Sequence, residues 1–356
     1  MLEPGVLAQD VLAQDVLARV RGFCERRSML RVRSMLFVGL CGTLVGGVAC
    51  GSARESAPGA TAPPAVEEIA PEEPAAGAPA EAPAGPVVDD AFGGRLYDRF
   101  YDGERFSPDR ASTPGTADGS GGPLGNGALL LADGSALLND AGHDYRLKNF
   151  FGWDLRGAQG IYGAAYQDKA TVVEQDLLDP AFELEEIRVL IRDGSDVVPA
   201  YGTVLDELEF ESLLAFIGGV RDGRLPHPDR IWSLSEGTPG NYRLAPGGDA
   251  ARGKQLYVDR CAGCHGKDGT RIVFDEGAYS LGSHARQKAY EDWLKILNGH
   301  PFSKMKRFVR GANGEELGQE VLDLLVALCD RAEFPLGAAS KPDVEDGDPR
   351  CGAYLR

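Results

Sequence analysis

Basic side chains are in short supply along this 356-residue chain: 37 Lys and Arg stand against 54 Asp and Glu, a net charge of −17. A field of that sign repels phosphate backbones, which argues against a nucleic-acid partner and for an acidic, self-repelling surface. The apolar run from Met35 to Ala49 stops short of the roughly 20 residues that a membrane-spanning helix needs. Methionine occurs four times, and only Met305 lies beyond residue 35. Seven cysteines are present, but only one Cys-x-x-Cys pair, so a four-ligand zinc site lacks its second half. From residue 51 to about 88 large aliphatic and aromatic residues almost vanish in favour of Ala, Pro, Glu and Gly. Such a segment cannot bury enough apolar surface to offset its ordering entropy and is expected to act as a disordered tether.

What is present concentrates in five residues, Cys261-Ala262-Gly263-Cys264-His265. Cys-x-x-Cys-His is the spacing that attaches haem c: two thiols about one helical turn apart can each add to a porphyrin vinyl group, and the next side chain turns its imidazole onto the iron. The other uses of such a pair are a disulfide or half of a zinc site. Upstream, Gly248-Asp249-Ala250-Ala251-Arg252-Gly253-Lys254-Gln255-Leu256-Tyr257 has the spacing of a short helix opened by Gly and Asp. Downstream, Gly266 and Lys267-Asp268-Gly269-Thr270 spell a turn. Val321, Leu324, Leu325 and Leu328 follow i, i+3, i+4, i+7 and predict a last helix with one apolar face. Cys329 ends that helix and Cys351 lies in the 331–356 tail; the two either pair or remain separate thiols.

In this order of features residues 248–330 resemble a class I c-type cytochrome domain. The resemblance implies one covalent haem c on Cys261 and Cys264, with His265 as proximal iron ligand and Met305 as distal ligand. A thioether in that place raises the potential relative to two imidazoles. The family carries Pro directly after the ligating Met; here Lys306 follows it. His284 and His300 are the rival ligands, and Met305 as a core gap-filler is the alternative use of that side chain. A haem domain of roughly 80 residues has too little apolar core to hold together without its cofactor.

Bacterial haem c is attached outside the cytoplasm, so the motif predicts an export signal within residues 1–50. Arg31-Val32-Arg33 is a basic n-region before the apolar run. Gly47-Val48-Ala49-Cys50-Gly51-Ser52 resembles a lipoprotein signal, with Cys50 as the acylated residue and Gly47 where that family prefers Leu. Plain cleavage and a retained anchor are the alternatives. Residues 1–28 repeat a Val-Leu-Ala-Gln-Asp pentad, and Met29 and Met35 are further candidate starts. The expected location is the cell envelope, facing the periplasm or on the surface.

Residues 89–235 echo the haem domain. Gly94-Arg95-Leu96-Tyr97 resembles Lys254-Gln255-Leu256-Tyr257, the Glu185–Gly194 stretch resembles Glu291–Gly299, and Phe210, Leu213, Leu214 and Ile217 repeat the stripe of the last helix. Arg146-Leu147-Lys148-Asn149-Phe150-Phe151-Gly152-Trp153-Asp154 resembles a Cys-x-x-Cys-His-Gly-Trp-Asp haem-attachment segment in which Leu147, Phe150 and Phe151 replace Cys, Cys and His. Val198-Pro199-Ala200-Tyr201-Gly202 resembles a distal-ligand segment with Val198 in place of Met. Apolar side chains would fill part of the void that a missing porphyrin leaves. The expected fold is therefore mainly α, two tandem cytochrome c-like helical domains of which only the second holds haem, joined by a linker at 236–247 within a stretch, 218–247, whose Pro226, Pro228 and Pro239 look like the connection. The alternative is an unrelated helical domain. Residues 103–144, Gly-rich around 115–127, form a long insertion between its first helix and Leu147.

Residues 248–330 carry twelve acidic and twelve basic side chains, so the acidity lies elsewhere. Lys304, Lys306, Arg307 and Arg310 crowd around Met305, a pattern suited to steering toward an acidic redox partner or simply to a solvated face. Three functions fit: a membrane-tethered single-electron carrier between a donor and an acceptor protein, a cytochrome subunit docking a periplasmic dehydrogenase or oxidase, or an open-site haem sensor or peroxidase. The last is disfavoured by a single Cys-x-x-Cys-His where a two-haem peroxidase carries two.

Overall fold

Two aspartates start the two halves of the structure in the same way. Asp89 accepts hydrogen bonds from the Ala91 and Phe92 N–H groups at the head of α1 (Asp90–Asp98), and Asp249 accepts from Ala251 and Arg252 at the head of α5 (Ala250–Arg260). Both satisfy donors that a first helical turn leaves without partners. This computed structural model describes residues 87–100, 128–138, 146–163, 171–301 and 303–356. The leader, Cys50, nearly all of the tether and most of the 103–144 insertion lie outside the described residues.

α1 crosses α4 (Glu207–Arg221) and α5 crosses α8 (Gly314–Leu328) with backbone against backbone. Gly93 faces the Ser212 carbonyl and Gly253 faces the Asp323 carbonyl so closely that a Cβ on either would sit 1.8 Å from the oxygen. The capping residues reach the same partners: Asp89 N–H donates to Ser212 Oγ at 3.1 Å, and Asp249 N–H to Asp323 Oδ1 at 2.8 Å. One turn further on, Tyr97 Oη donates to the Gly152 carbonyl and Tyr257 Oη to the Gly266 carbonyl, both at 2.5 Å. The expected stripes, Phe210 to Ile217 on α4 and Val321 to Leu328 on α8, are buried.

Between these crossings lie α2 (Leu147–Phe151) and α3 (Leu184–Asp193) in the first half, and α6 (Ala262–His265) and α7 (Leu281–Asn298) in the second. β1 (Ala128–Leu130) pairs antiparallel with β2 (Ala136–Leu138), Leu129 opposite Leu137. The stretch expected to be a connection is packed structure. β3 (Trp232–Leu234) pairs antiparallel with β4 (Tyr242–Leu244), Ser233 opposite Arg243, and Ile231, Trp232, Tyr242 and Leu244 are buried. The prolines that suggested a loose connection instead open short 3-10 turns at Pro228 and Pro239, where a missing N–H costs nothing.

One core runs through both halves. Trp293 on α7 donates through Nε1 to the Trp153 carbonyl at 3.1 Å and meets Trp232 edge-on at 5.4 Å, while Tyr290 meets Tyr242 edge-on at 5.4 Å. Beside them Asp98 and Lys148 form a buried ion pair, with Lys148 Nζ 3.6 Å over the Trp153 ring. Burial alone would raise the Asp98 carboxyl, but Lys148 and Lys295 outweigh it and hold it well below the usual range. The C-terminal segment is fastened rather than loose. Fully buried Arg286 donates to the Leu328 carbonyl at 2.8 Å, the Phe334 carbonyl at 3.0 Å and Asp343 Oδ1 at 2.8 Å, and Cys329 is disulfide-bonded to Cys351. Among the described residues no helix is long and apolar enough to cross a membrane.

Gly253→Ala is expected to push α5 off α8 and lower stability by about 1–3 kcal/mol, the range for forced overpacking, read as a lower thermal midpoint. Cys351→Ser should cost about 3 kcal/mol in denaturant unfolding, from the entropy restored to a span of this length in the unfolded chain.

Candidate functional site

α5 ends at Cys261, whose N–H still donates to the Tyr257 carbonyl at 2.8 Å, and the chain re-enters a single helical turn. Cys264 N–H and His265 N–H both donate to the Cys261 carbonyl, at 3.1 and 3.0 Å. Gly266 then leaves the turn at φ +88°, a left-handed conformation that suits Gly, with its carbonyl held by Tyr257 Oη. Arg271 returns to close the turn, its Nη1 donating to the Gly263 carbonyl at 2.6 Å. The five-residue motif is thus gripped at both ends, and its two sulfurs stand unpaired. Burial pushes the Cys261 thiol up to about 11, with Arg260 opposing and Cys264 adding to the rise.

The motif forms one wall of a cavity of two lobes, of about 160 and 360 Å³. The lobes share Cys261, His265, Phe274, His300 and Met305, and Cys264 borders the second. Apolar side chains dominate the first lobe, among them Tyr257, Leu281, Ile296, Leu324 and Leu328. Met305, forty positions from His265 in sequence, is therefore brought to the same space. The two rival histidines are there as well, and both rings are already engaged: His284 Nδ1 contacts the two Asp292 carboxylate oxygens at 2.9 and 3.1 Å, and His300 Nδ1 donates to the Pro301 carbonyl at 2.7 Å.

His265 differs from them. Its Nδ1 is buried with no hydrogen-bond partner, and burial lowers its pKa despite Asp292. Among the described residues no polar group meets that nitrogen, and the ring lies beside Phe274 with centroids 6.1 Å apart. Among the described residues no group of three or more His, Cys, Asp and Glu could hold a metal ion by itself, which removes support from a zinc half-site.

Residues 250–316 match the cytochrome c family model. No curated protein and no solved structure matches the chain. The cytochrome c segment spans Cys261, Cys264, His265 and Met305, and it implies a covalently bound haem c. The residues fit that group: two free thiols one turn apart, an imidazole whose Nδ1 has no partner, a thioether bordering the same space and mostly apolar walls. Sequence reasoning did not find Asp275, Asp292 and Lys295 in the same cavity wall; Asp292 and Lys295 sit at a helical spacing that reads equally well as solvated surface, and Asp275 lies in a turn.

The first half presents the same framework with the space closed. Gly152 repeats the Gly266 turn (φ 75°, ψ 166° against φ 88°, ψ 167°), and the three residues corresponding to Cys261, Cys264 and His265 are Leu147, Phe150 and Phe151. Gly194 repeats Gly299, and Ser195 N–H donates to the Val198 carbonyl at 2.7 Å as His300 N–H donates to the Met305 carbonyl at 3.1 Å. Leu147, Phe150 and Phe151 are 0 % exposed and Val198 is 1 % exposed.

Burial, reinforced by Lys295, pulls the His300 imidazole down to about 4, against about 6.5 in an unfolded chain. Between those values the unfolded state binds the extra proton, so this contribution to stability is complete above pH 6.5 and is lost as pH falls toward 4. Unfolding free energies from urea titrations at pH 7.5 and 4.5 should differ less in His300→Gln than in the wild type, by about 3 kcal/mol.

Proposed function

We propose that this chain is a mono-haem c-type cytochrome, held to a membrane of the bacterial cell envelope by a lipid on Cys50, that passes single electrons between a donor and an acceptor protein. The carrying observation is the contrast within the chain. One framework encloses a cavity bordered by Cys261, Cys264, His265 and Met305, and its counterpart is sealed by Leu147, Phe150, Phe151 and Val198. That contrast supports one haem, in the second half, and a first half that keeps a cytochrome-like frame without the cofactor.

Haem c supplies a one-electron iron couple when bound. Cys261 and Cys264 would hold the ring through thioether bonds, and His265 and Met305 would ligate its iron. The soft Met305 sulfur favours ferrous iron and raises the potential. Tyr257, Leu281, Leu324 and Leu328 keep water from the site, which further disfavours the more highly charged ferric state. No proton, nucleophile or substrate pocket is required for that role.

The second lobe is bordered by exposed Cys264 and exposed Phe308, and Lys304, Lys306 and Arg310 are exposed in the same stretch. A basic rim around an apolar edge supports an acidic redox partner, met faster because the fields are complementary. Arg307 does not belong to that rim: it turns inward to Asp90 and to the Leu297 carbonyl.

A second reading of the distal ligand has its own observation. An imidazole backed by a carboxylate, as His284 is by Asp292, is the usual support of a ligating histidine. Absorption spectra of the haem-loaded chain, oxidised and reduced, with and without carbon monoxide, separate the two. The expected result is low-spin iron that ignores carbon monoxide in the wild type and in His284→Ala, and binds it in Met305→Ala. Opening by His284→Ala alone would establish two imidazole ligands, and a wild type that binds carbon monoxide directly would turn the case to a sensor or peroxidase.

A further inference from the structure

The loop that carries Met305 is held from outside the haem half. α7 ends at Asn298, which is fully buried, and against it lies Gly94 of α1, so close that a Cβ there would sit 2.1 Å from Asn298 Cγ. Arg95, the next residue of α1, donates from Nη1 to the Asn298 carbonyl at 2.9 Å. The chain then turns at Gly299 (φ +92°) and comes back on itself in a short antiparallel bridge between Gly299 and Lys306. Inside that bridge His300 N–H donates to the Met305 carbonyl at 3.1 Å, and Met305 N–H donates to Ser303 Oγ at 3.0 Å.

The returning strand is fastened by one side chain. Arg307, two residues past Met305, donates from Nε to the Leu297 carbonyl at 2.6 Å, reaches Asn298 Oδ1 at 3.4 Å and pairs through Nη2 with Asp90 Oδ1 at 2.8 Å. Asp90 is in the first turn of α1. Both ends of the loop, Asn298 and Arg307, are thus held by the same helix of the first half. The pair is only about a quarter exposed on each side, so it is less screened than a surface ion pair.

We propose that α1 of the first half is a positioning element for the distal ligand: Asp90, Gly94 and Arg95 hold the 299–307 loop so that the Met305 sulfur stays against the iron. This rests on the haem-ligand reading above. It gives the first half a role in a reaction whose cofactor it does not hold, because an iron–thioether bond is weak and its occupancy depends on how far the loop can move without losing other contacts. Asp90 and Arg307 touch neither iron nor porphyrin in this role; they act through the backbone on either side of Met305.

The test uses the full chain loaded with haem. In Asp90→Asn and Arg307→Gln the far-red charge-transfer band of ferric His/Met iron should weaken and the midpoint potential should fall. The rate at which ferrous protein takes up carbon monoxide should rise by about fivefold, the factor expected when a partly buried ion pair no longer opposes opening. Asp90→Glu keeps the charge and should restore wild-type values. Glu315→Gln breaks a different cross-half pair, with Arg230 at 2.8 Å, away from the loop, and should change none of the three readings. Thermal midpoints measured beside them separate loop release from general loosening. Unchanged readings in Asp90→Asn and Arg307→Gln, or an equal response in Glu315→Gln, would overturn the positioning role while Met305→Ala still opens the iron. A silent Met305→Ala would overturn the ligand assignment and the positioning role together.

Discussion

A glycine pressed onto a carbonyl, once at Gly93 against Ser212 and again at Gly253 against Asp323, sets the frame on which everything else in this molecule is built. With no Cβ between them the two helix backbones meet, and the caps Asp89 and Asp249 each bond to the residue whose carbonyl the glycine faces. The tyrosine one turn later, Tyr97 or Tyr257, then fixes the carbonyl of the glycine that ends the α2 or α6 turn. A fixed crossing thus fixes where the next turn projects its side chains, which in the second half are Cys261, Cys264 and His265.

Such a frame leaves a central space, and close packing requires that it be filled. The chain solves the problem twice with the same backbone and different matter. In the first half Leu147, Phe150, Phe151 and Val198 close the space with side chains and need nothing else. In the second, two thiols, an imidazole and a thioether border a cavity with apolar walls, and the Nδ1 of His265 is buried without a protein partner. Side-chain filling closes the first frame by itself, whereas the second leaves its space bordered by groups able to hold an occupant. The halves are joined by a common aromatic core through Trp153, Trp232, Tyr242, Tyr290 and Trp293, so the closed copy can lend rigidity to the open one.

Much of this was legible in the residues. Cys-x-x-Cys-His names its own chemistry, and the stripes of α4 and α8 follow from helical periodicity. The Tyr97 and Tyr257 echo marks equivalent positions because each hydroxyl has the same job. Long-range pairing was not legible. Nothing in the spacing of His284 and Asp292 distinguishes a buried couple from two residues on a wet helix face. Arg307 sits among three other basic residues that do face solvent, and only the position of Asp90 on another helix turns it inward. The prolines near residues 226–239 suggested a loose connection because proline marks both linkers and the starts of 3-10 turns, and the local sequence does not say which. The shared core was hidden for the same reason: a Trp on α7 reads as core of its own domain, whichever half supplies the partner.

The cysteines show how one chain can hold a structural and a chemical pair in the same compartment. Cys329 and Cys351 are buried together and bonded, and their bond ties the last segment to the end of α8. Cys261 and Cys264 are closer in sequence yet unbonded. Burial in the cavity wall raises the Cys261 thiol to about 11, which disfavours the thiolate that exchange with a disulfide requires. The same cavity wall therefore slows thiol–disulfide exchange at Cys261 and leaves its sulfur free.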